Sequence, residues 1–207
     1  MTTRTYRSTR RDEAASITRA VILDTALERF TAQGYSATTI ADIATHADVA
    51  VNTIYASIGG KAQLVLALIE RARTDPSITS TLDGVGRTDT GRAALERLAH
   101  GVRTSSEHSQ RVIAVMQDAA ASEPSVADAV HRTELGYRAN LDSTVGHLRS
   151  LPDFRDELDT RAVQDALWFY FGFSPWRTLI ALGWDWDRTE HWLALQAWRE
   201  IYRVPQD

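Results

Sequence analysis

The side chains best suited to chemistry lie between Thr38 and Lys61, in the stretch TTIADIATHADVAVNTIYASIGGK. Thr38, Thr39, Asn52, Thr53, Tyr55 and Ser57 supply hydroxyls and an amide, and Lys61 closes the run with a cation. Such groups suit nucleic acid, because they donate to phosphate oxygens and meet base edges. Asn52 is the best single reader of a base, since an Asn amide pairs with adenine through two hydrogen bonds. A surface Asn without a partner looks the same in sequence. Tyr55 suits a phosphate contact: a large amphipathic ring beside Thr53, on the face opposite Ile54 and Ile58, is awkward in plain solvent. Lys61 is the sole lysine beside twenty-two arginines. It follows Gly59 and Gly60, which let backbone approach a ligand, and it opens a helix whose first N–H groups favour an anion. No acid occupies residues 61 to 68, so a phosphate clamp is preferred to a solvated lysine.

The elements that must present these groups are short. Ile40, Ile43, Ala44 and Ala47 recur at the spacing of one buried helical face, and Ile54 and Ile58 give a second helix an inward side. Thr39 offers an N-cap with Asp42 three residues on. Either Thr38 or Thr39 could give its hydroxyl to a phosphate, and a capping role alone is equally open. Asp48 falls at the turn, where a left-handed backbone tolerates Asp better than a β-branched residue. The next helix starts near Ala50 or Val51, which puts Val51 and Asn52 at its leading end, the part of a recognition helix that meets base edges. A preceding helix is predicted from about Ser16 to Gln33, with Ile17, Leu23, Ala26, Leu27 and Phe30 on one stripe and Gly34 as terminator. Together these read as a DNA-binding helix-turn-helix.

A net charge of −4 argues against nucleic acid only if charge is spread evenly, and it is not. Residues 1–73 hold nine basic against seven acidic side chains, a net of +2, and residues 74–207 hold fourteen against twenty, a net of −6. Arg4, Arg7, Arg10 and Arg11 stand in the first eleven residues without an acid. That Thr- and Ser-rich segment is expected to be a flexible basic arm, about residues 1–14, able to lie in a minor groove through Arg4 and Arg7, or else a solvated terminus. It lacks the apolar stretch of a secretory signal. The longest apolar run, 166–173, falls far short of the ~20 residues of a membrane span, so no membrane partner is expected and a cytoplasmic location is. There is no cysteine, hence no disulfide and no thiolate metal site.

A fourth helix is predicted from about 61 to 74, ending before Asp75-Pro76 because the residue before proline avoids helical backbone. Residues 76–91, rich in Thr, Ser, Asp and Gly, read as a boundary or a long loop. Helical patterns follow over about 92–105, 109–121, 124–148, 156–173, 175–182 and 188–203. All six tryptophans stand at or beyond residue 168. The 156–173 helix is apolar nearly all round at its end, so it needs cover on two sides, one of them the same helix of a second subunit packed with the final helix. A small-molecule pocket would lie between the fourth and eighth helices, with Met116, Tyr137, Asn140, Trp168 and Phe171 as lining residues, although aromatics at helical spacing are more often core.

The order Gly34-Tyr35, Thr38-Thr39-Ile40-x-x-Ile43-Ala44, Ala47-x-Val49, Thr53-Ile54-Tyr55 and Gly59-x-Lys61 resembles the N-terminal domain of TetR-family transcriptional regulators, over about residues 15–70. The resemblance implies an all-α homodimer with a three-helix DNA-binding domain, a linking fourth helix, and a larger helical ligand-binding and dimerisation domain. The division is placed at 1–60 and 61–207. It further implies that Thr39, Thr53, Tyr55 and Lys61 touch phosphates and that Val51 and Asn52 lie near bases. Asp48, Ala50, Ser57, Ile58 and Ala62 depart from the family's usual Gly, Ser or Thr, His, Phe and acid. The third helix should therefore be poorly capped, at a cost of about 1 kcal/mol, while Ser57 can still reach a phosphate.

The expected function is a ligand-released repressor acting as a homodimer on double-stranded operator DNA, with an unknown small-molecule effector and no cofactor or metal. A constitutive regulator without a sensor is the alternative. A helical enzyme or interaction module has no residue pattern behind it. His131-x-x-Glu134 lacks further ligands, Glu134 and Arg138 make a simpler i,i+4 pair, and no Gly-x-Ser-x-Gly or phosphate loop occurs.

Overall fold

A computed structural model describes the backbone of residues 3–203 and the side chains of 12–203. Within them the chain forms α1 (Thr3–Gln33), α2 (Ile40–His46), α3 (Val51–Ser57), α4 (Lys61–Arg73), α5 (Pro76–Val85), α6 (Gly91–Ala120), α7 (Pro124–Asp142), α8 (Val145–Ser150), α9 (Thr160–Phe171), α10 (Phe173–Ala181) and α11 (Trp186–Ile201). The one extended pairing among these residues is an isolated antiparallel bridge between Phe154 and Tyr202. Two compact units result, Met1–Thr74 with Ser109–Arg132, and Asp75–His108 with Thr133–Asp207.

The first unit gathers α1 to α4 around one core. Ile22, Leu23, Ala26, Leu27 and Phe30 of α1 meet Ile43 and Ala44 of α2, Ile54 of α3, and Leu64, Val65, Leu68 and Ile69 of α4. The end of α6 and the start of α7 complete it with Val112, Val115, Met116, Ala119, Val126 and Ala129. α4 spends its apolar face inside this core, so this compact unit runs on to residue 74. Ile17, expected on the buried stripe of α1, is exposed. α1 starts at Thr3, not near Ser16, over a stretch that holds no Gly or Pro to stop it. The side chains of Arg4 and Arg7 lie outside the described residues.

In the second unit, Val85, Leu95, Leu98, Leu141, Leu148, Val163, Leu167, Phe171, Trp176 and Ile201 share a core with Tyr202. Within this unit Arg103 ties α6 to α11, bonding Glu190 at 2.9 Å and Asp187, with Glu107 of its own helix at 2.9 Å. Residues 76–85 are a helix, not the boundary or long loop read from composition. Asp75 caps it through the Ser77 N–H at 2.8 Å, and Pro76 takes the first position, where its missing N–H costs nothing. The segments expected over 92–105 and 109–121 form the single helix α6, and 124–148 is divided into α7 and α8.

Because α3 has seven residues and only Ile54 fully inside, Ile54→Ala should remove about 2–5 kcal/mol of unfolding free energy. Denaturant unfolding followed by far-ultraviolet dichroism checks this, with a shift below about 1 kcal/mol counting against the described packing.

Candidate nucleic-acid interface

The helix-turn-helix is built by three local devices. The Thr39 hydroxyl oxygen accepts the Asp42 N–H at 3.1 Å and caps α2, which leaves the hydroxyl proton free to donate outward. Asp48 turns the chain with φ of +52°, the left-handed conformation expected for it. Val49 N–H then closes the turn on the Ala44 carbonyl at 3.0 Å. α3 starts at Val51 with Ala50 as an N-cap that makes no side-chain bond, as the departure from Ser or Thr led one to expect. The carboxyl end of α3 gains a partner that was not foreseen: Arg19 of α1 donates to the Ser57 carbonyl at 2.6 Å. A cation there offsets the negative end of the helix dipole. The two residues are 38 apart in sequence, and no local pattern links them.

On this frame Val51, Asn52 and Tyr55 are exposed, Tyr55 by 56%, while Ile54 between them is fully buried. Thr39 is exposed as well, and Thr53, Ser57 and Lys61 are half-buried. Thr38 differs from expectation. Its side chain is 1% exposed, and its hydroxyl donates to the Gly34 carbonyl at 2.8 Å and the Arg29 carbonyl at 3.3 Å. It locks the α1–α2 elbow and has no path to a phosphate.

Lys61 also does more than the sequence suggests. Its ammonium donates to the Tyr35 carbonyl at 2.7 Å and the Ser36 carbonyl at 3.3 Å, and stands 4.2 Å from the centre of the Tyr35 ring. One of its three N–H donors remains for a phosphate. Gly59, with φ of +119°, turns the chain from α3 into α4, and Gln63 reaches back to accept the Gly60 N–H at 3.0 Å.

Two acids lie in α2 and the turn before α3, Asp42 and the exposed Asp48. Neither α3 nor the first turn of α4 carries an acid. The acid of α2, Asp42, is met by the Arg29 guanidinium at 2.8 Å, and His46 lies 3.4 Å from its other oxygen.

The residues expected to line a ligand pocket divide between the units. Met116 is packed in the core of the first. In the second, Tyr137 donates its hydroxyl to the Phe171 carbonyl at 2.7 Å, stacks on Phe173 at 4.7 Å, and lies 6.2 Å from Trp168 between ring centres. Burial pushes the Tyr137 hydroxyl well above its ordinary range, so it stays a donor. Phe171 is fully buried, and Asn140 is half-buried one turn beyond Tyr137. Phe173 belongs with this cluster and was not among the residues expected.

A short second helix, a left-handed turn and a third helix that buries one face while offering amide and hydroxyl groups on the other define a helix-turn-helix DNA-binding protein. Residues 22–68 match the model of the bacterial regulatory proteins, tetR family. NalD of Pseudomonas aeruginosa, the secondary repressor of the MexAB-OprM multidrug efflux pump, is similar with a TM-score of 0.70 and 21% identity, over 92% of this chain and 98% of that one. FadR of Bacillus subtilis, solved in complex with stearoyl-CoA, gives 0.69 and 16% over 88% and 99%. PfmR of Thermus thermophilus, a TetR-family transcriptional regulator, gives 0.64 and 17% over 90% and 96%. At these identities the likeness is one of fold. No curated protein gives a significant match to the sequence. The chain carries the TetR-family DNA-binding domain over residues 22–68 and shares the fold of TetR-family transcriptional regulators.

The different surroundings of two adjacent threonines make a paired prediction. Thr38→Val should lower stability by about 1–3 kcal/mol, because two carbonyls lose a buried donor, and leave the salt dependence of DNA binding unchanged. Thr39→Ala should weaken the α2 cap by about 1 kcal/mol and, unlike Thr38→Val, lower the affinity for duplex DNA at every salt concentration, the slope staying the same because a neutral hydroxyl releases no counterion. Thermal melts and titrations of duplex DNA at several salt concentrations separate the two.

Proposed function

We propose that the chain is a homodimeric transcriptional repressor that binds a near-palindromic operator and is released by a small-molecule effector. Functionally, residues 1–60 read DNA and residues 61–207 sense the effector and dimerise. One observation carries the reading: α3 presents Val51, Asn52 and Tyr55 to solvent and carries no acid, and Thr39 at the head of α2 is exposed as well. Val51 and Asn52, at the leading end of α3, meet base edges, with Asn52 reading adenine. Thr39, Thr53, Tyr55, Ser57 and the remaining donor of Lys61 hold phosphates and set the register.

Dimerisation follows from the faces that α9 and α11 leave uncovered. Phe169 is 66% exposed and Trp192 39% exposed, large rings that a second copy would bury. Two recognition helices then fall in successive major grooves about 34 Å apart. The similar structures, a secondary repressor and a regulator in complex with stearoyl-CoA, support an effector that favours the DNA-incompetent state. By reciprocity operator DNA weakens effector binding by the same factor. Among the described residues no helix is long and apolar enough to cross a membrane, which fits the cytoplasmic location proposed here.

An operator selected from a random duplex pool, followed by anisotropy titration, tests the reading. Tyr55→Ala should weaken binding to all duplexes by about 1–3 kcal/mol with the salt slope unchanged, since a neutral hydroxyl releases no counterion. Asn52→Ala should instead cost about 1–3 kcal/mol at one base position and spare unrelated duplexes. Phe169→Glu should give a monomer in sedimentation and lose the operator. A chain that enriches no sequence from the pool overturns the proposal.

A further inference from the structure

The α1–α2 elbow is held by charged groups from outside the helix-turn-helix. Tyr35 is 2% exposed. Its N–H donates to the Asp118 carboxylate at 2.7 Å and its hydroxyl to the Glu123 carboxylate at 2.8 Å. Its carbonyl accepts the Lys61 ammonium at 2.7 Å. Tyr35 therefore lies in a chain of charge-assisted bonds with two carboxylates on one side and a cation on the other, and such bonds are about twice as strong as neutral ones. Burial, then the Glu123 carboxylate, raises the Tyr35 hydroxyl above its ordinary range, so it remains a donor.

Asp118 sits in the last turn of α6 and Glu123 in the link to α7, 83 and 88 residues from Tyr35. Both helices run on into the second unit along the chain. The elbow in turn sets the DNA-facing elements: Thr38 bonds back to Gly34, Thr39 caps α2, and Lys61 heads α4. A shift of the α6–α7 corner must carry Tyr35 with it or leave a buried polar group without its partner, which is costly.

We infer that Asp118 and Glu123 are positioning residues for DNA recognition, holding Tyr35 and through it Lys61 and the start of α4 in the geometry in which α3 meets the duplex. The inference rests on the DNA-binding function proposed above. It makes the α6–α7 corner a place where displacement is converted into lost operator affinity.

The test uses the full chain, the selected operator, an unrelated duplex of equal length and four variants: Tyr35→Phe, Glu123→Ala, their double, and Glu123→Gln. Tyr35→Phe keeps the ring, the Asp118 bond and the Lys61 bond, and melting temperatures verify that each variant folds. Tyr35→Phe and Glu123→Ala should each weaken operator binding about tenfold and move the unrelated duplex less than about twofold. The double should be no worse than either, since both remove one bond. Glu123→Gln, which still accepts the hydroxyl proton, should restore most of the affinity. Unchanged operator affinity, losses that add, equal losses on both duplexes, or a Tyr35→Phe chain that does not fold would each overturn the inference alone. A wild-type chain without operator preference would overturn the proposed function and this inference with it.

Discussion

A helix of seven residues does not hold together in water, because the cost of its first turn is recovered only over a dozen residues or more. α3 is such a helix, and it lacks a side-chain N-cap as well. It persists because Ile54 is drawn fully into the core made by α1, α2 and α4, and because Arg19 answers its carboxyl end. The rest of the surface follows from that anchoring. With Ile54 inward, the helical period turns Val51, Asn52 and Tyr55 outward, and the left-handed Asp48 sets the angle at which they arrive. The surface proposed to read DNA is thus carried by a short helix that its neighbours support.

The parts of this arrangement that follow from local rules were legible in the sequence. The caps, the left-handed turn at Asp48, the uncapped start at Val51 and the outward side of α3 depend on spacing and residue type within a few positions. What was not legible depends on distance. Thr38 and Thr39 are chemically alike and adjacent, and only the elbow decides that one hydroxyl is buried against Gly34 and the other exposed. Lys61 reads as a free cation until the fold brings it against the Tyr35 and Ser36 carbonyls.

Beyond residue 75, composition misled where packing overruled it. The Gly and Ser content of 76–91 suggested a loop, yet Asp75 and Pro76 start a good helix and Val85 is buried in the second core. The polar run Ser105-Ser106-Glu107-His108 suggested a break, yet α6 passes through it, since each flank carries its own apolar stripe: Leu95, Leu98 and Val102 on one side, Val112, Val115 and Met116 on the other. The same division explains why Met116 does not join Tyr137 and Phe171. Its stripe belongs to the first core.

Lys61 shows how position and charge combine at the elbow. A solvated lysine beside DNA contributes mainly a releasable counterion. Here two of its donors are fixed on carbonyls that also belong to the elbow, so little rotamer freedom is left to lose on binding. A phosphate held by the third donor would in turn stiffen the ammonium against Tyr35, whose other contacts are the carboxylates of Asp118 and Glu123. In the proposed complex a contact to the duplex and a contact to the α6–α7 corner would thus meet on one buried tyrosine, each biasing the geometry open to the other.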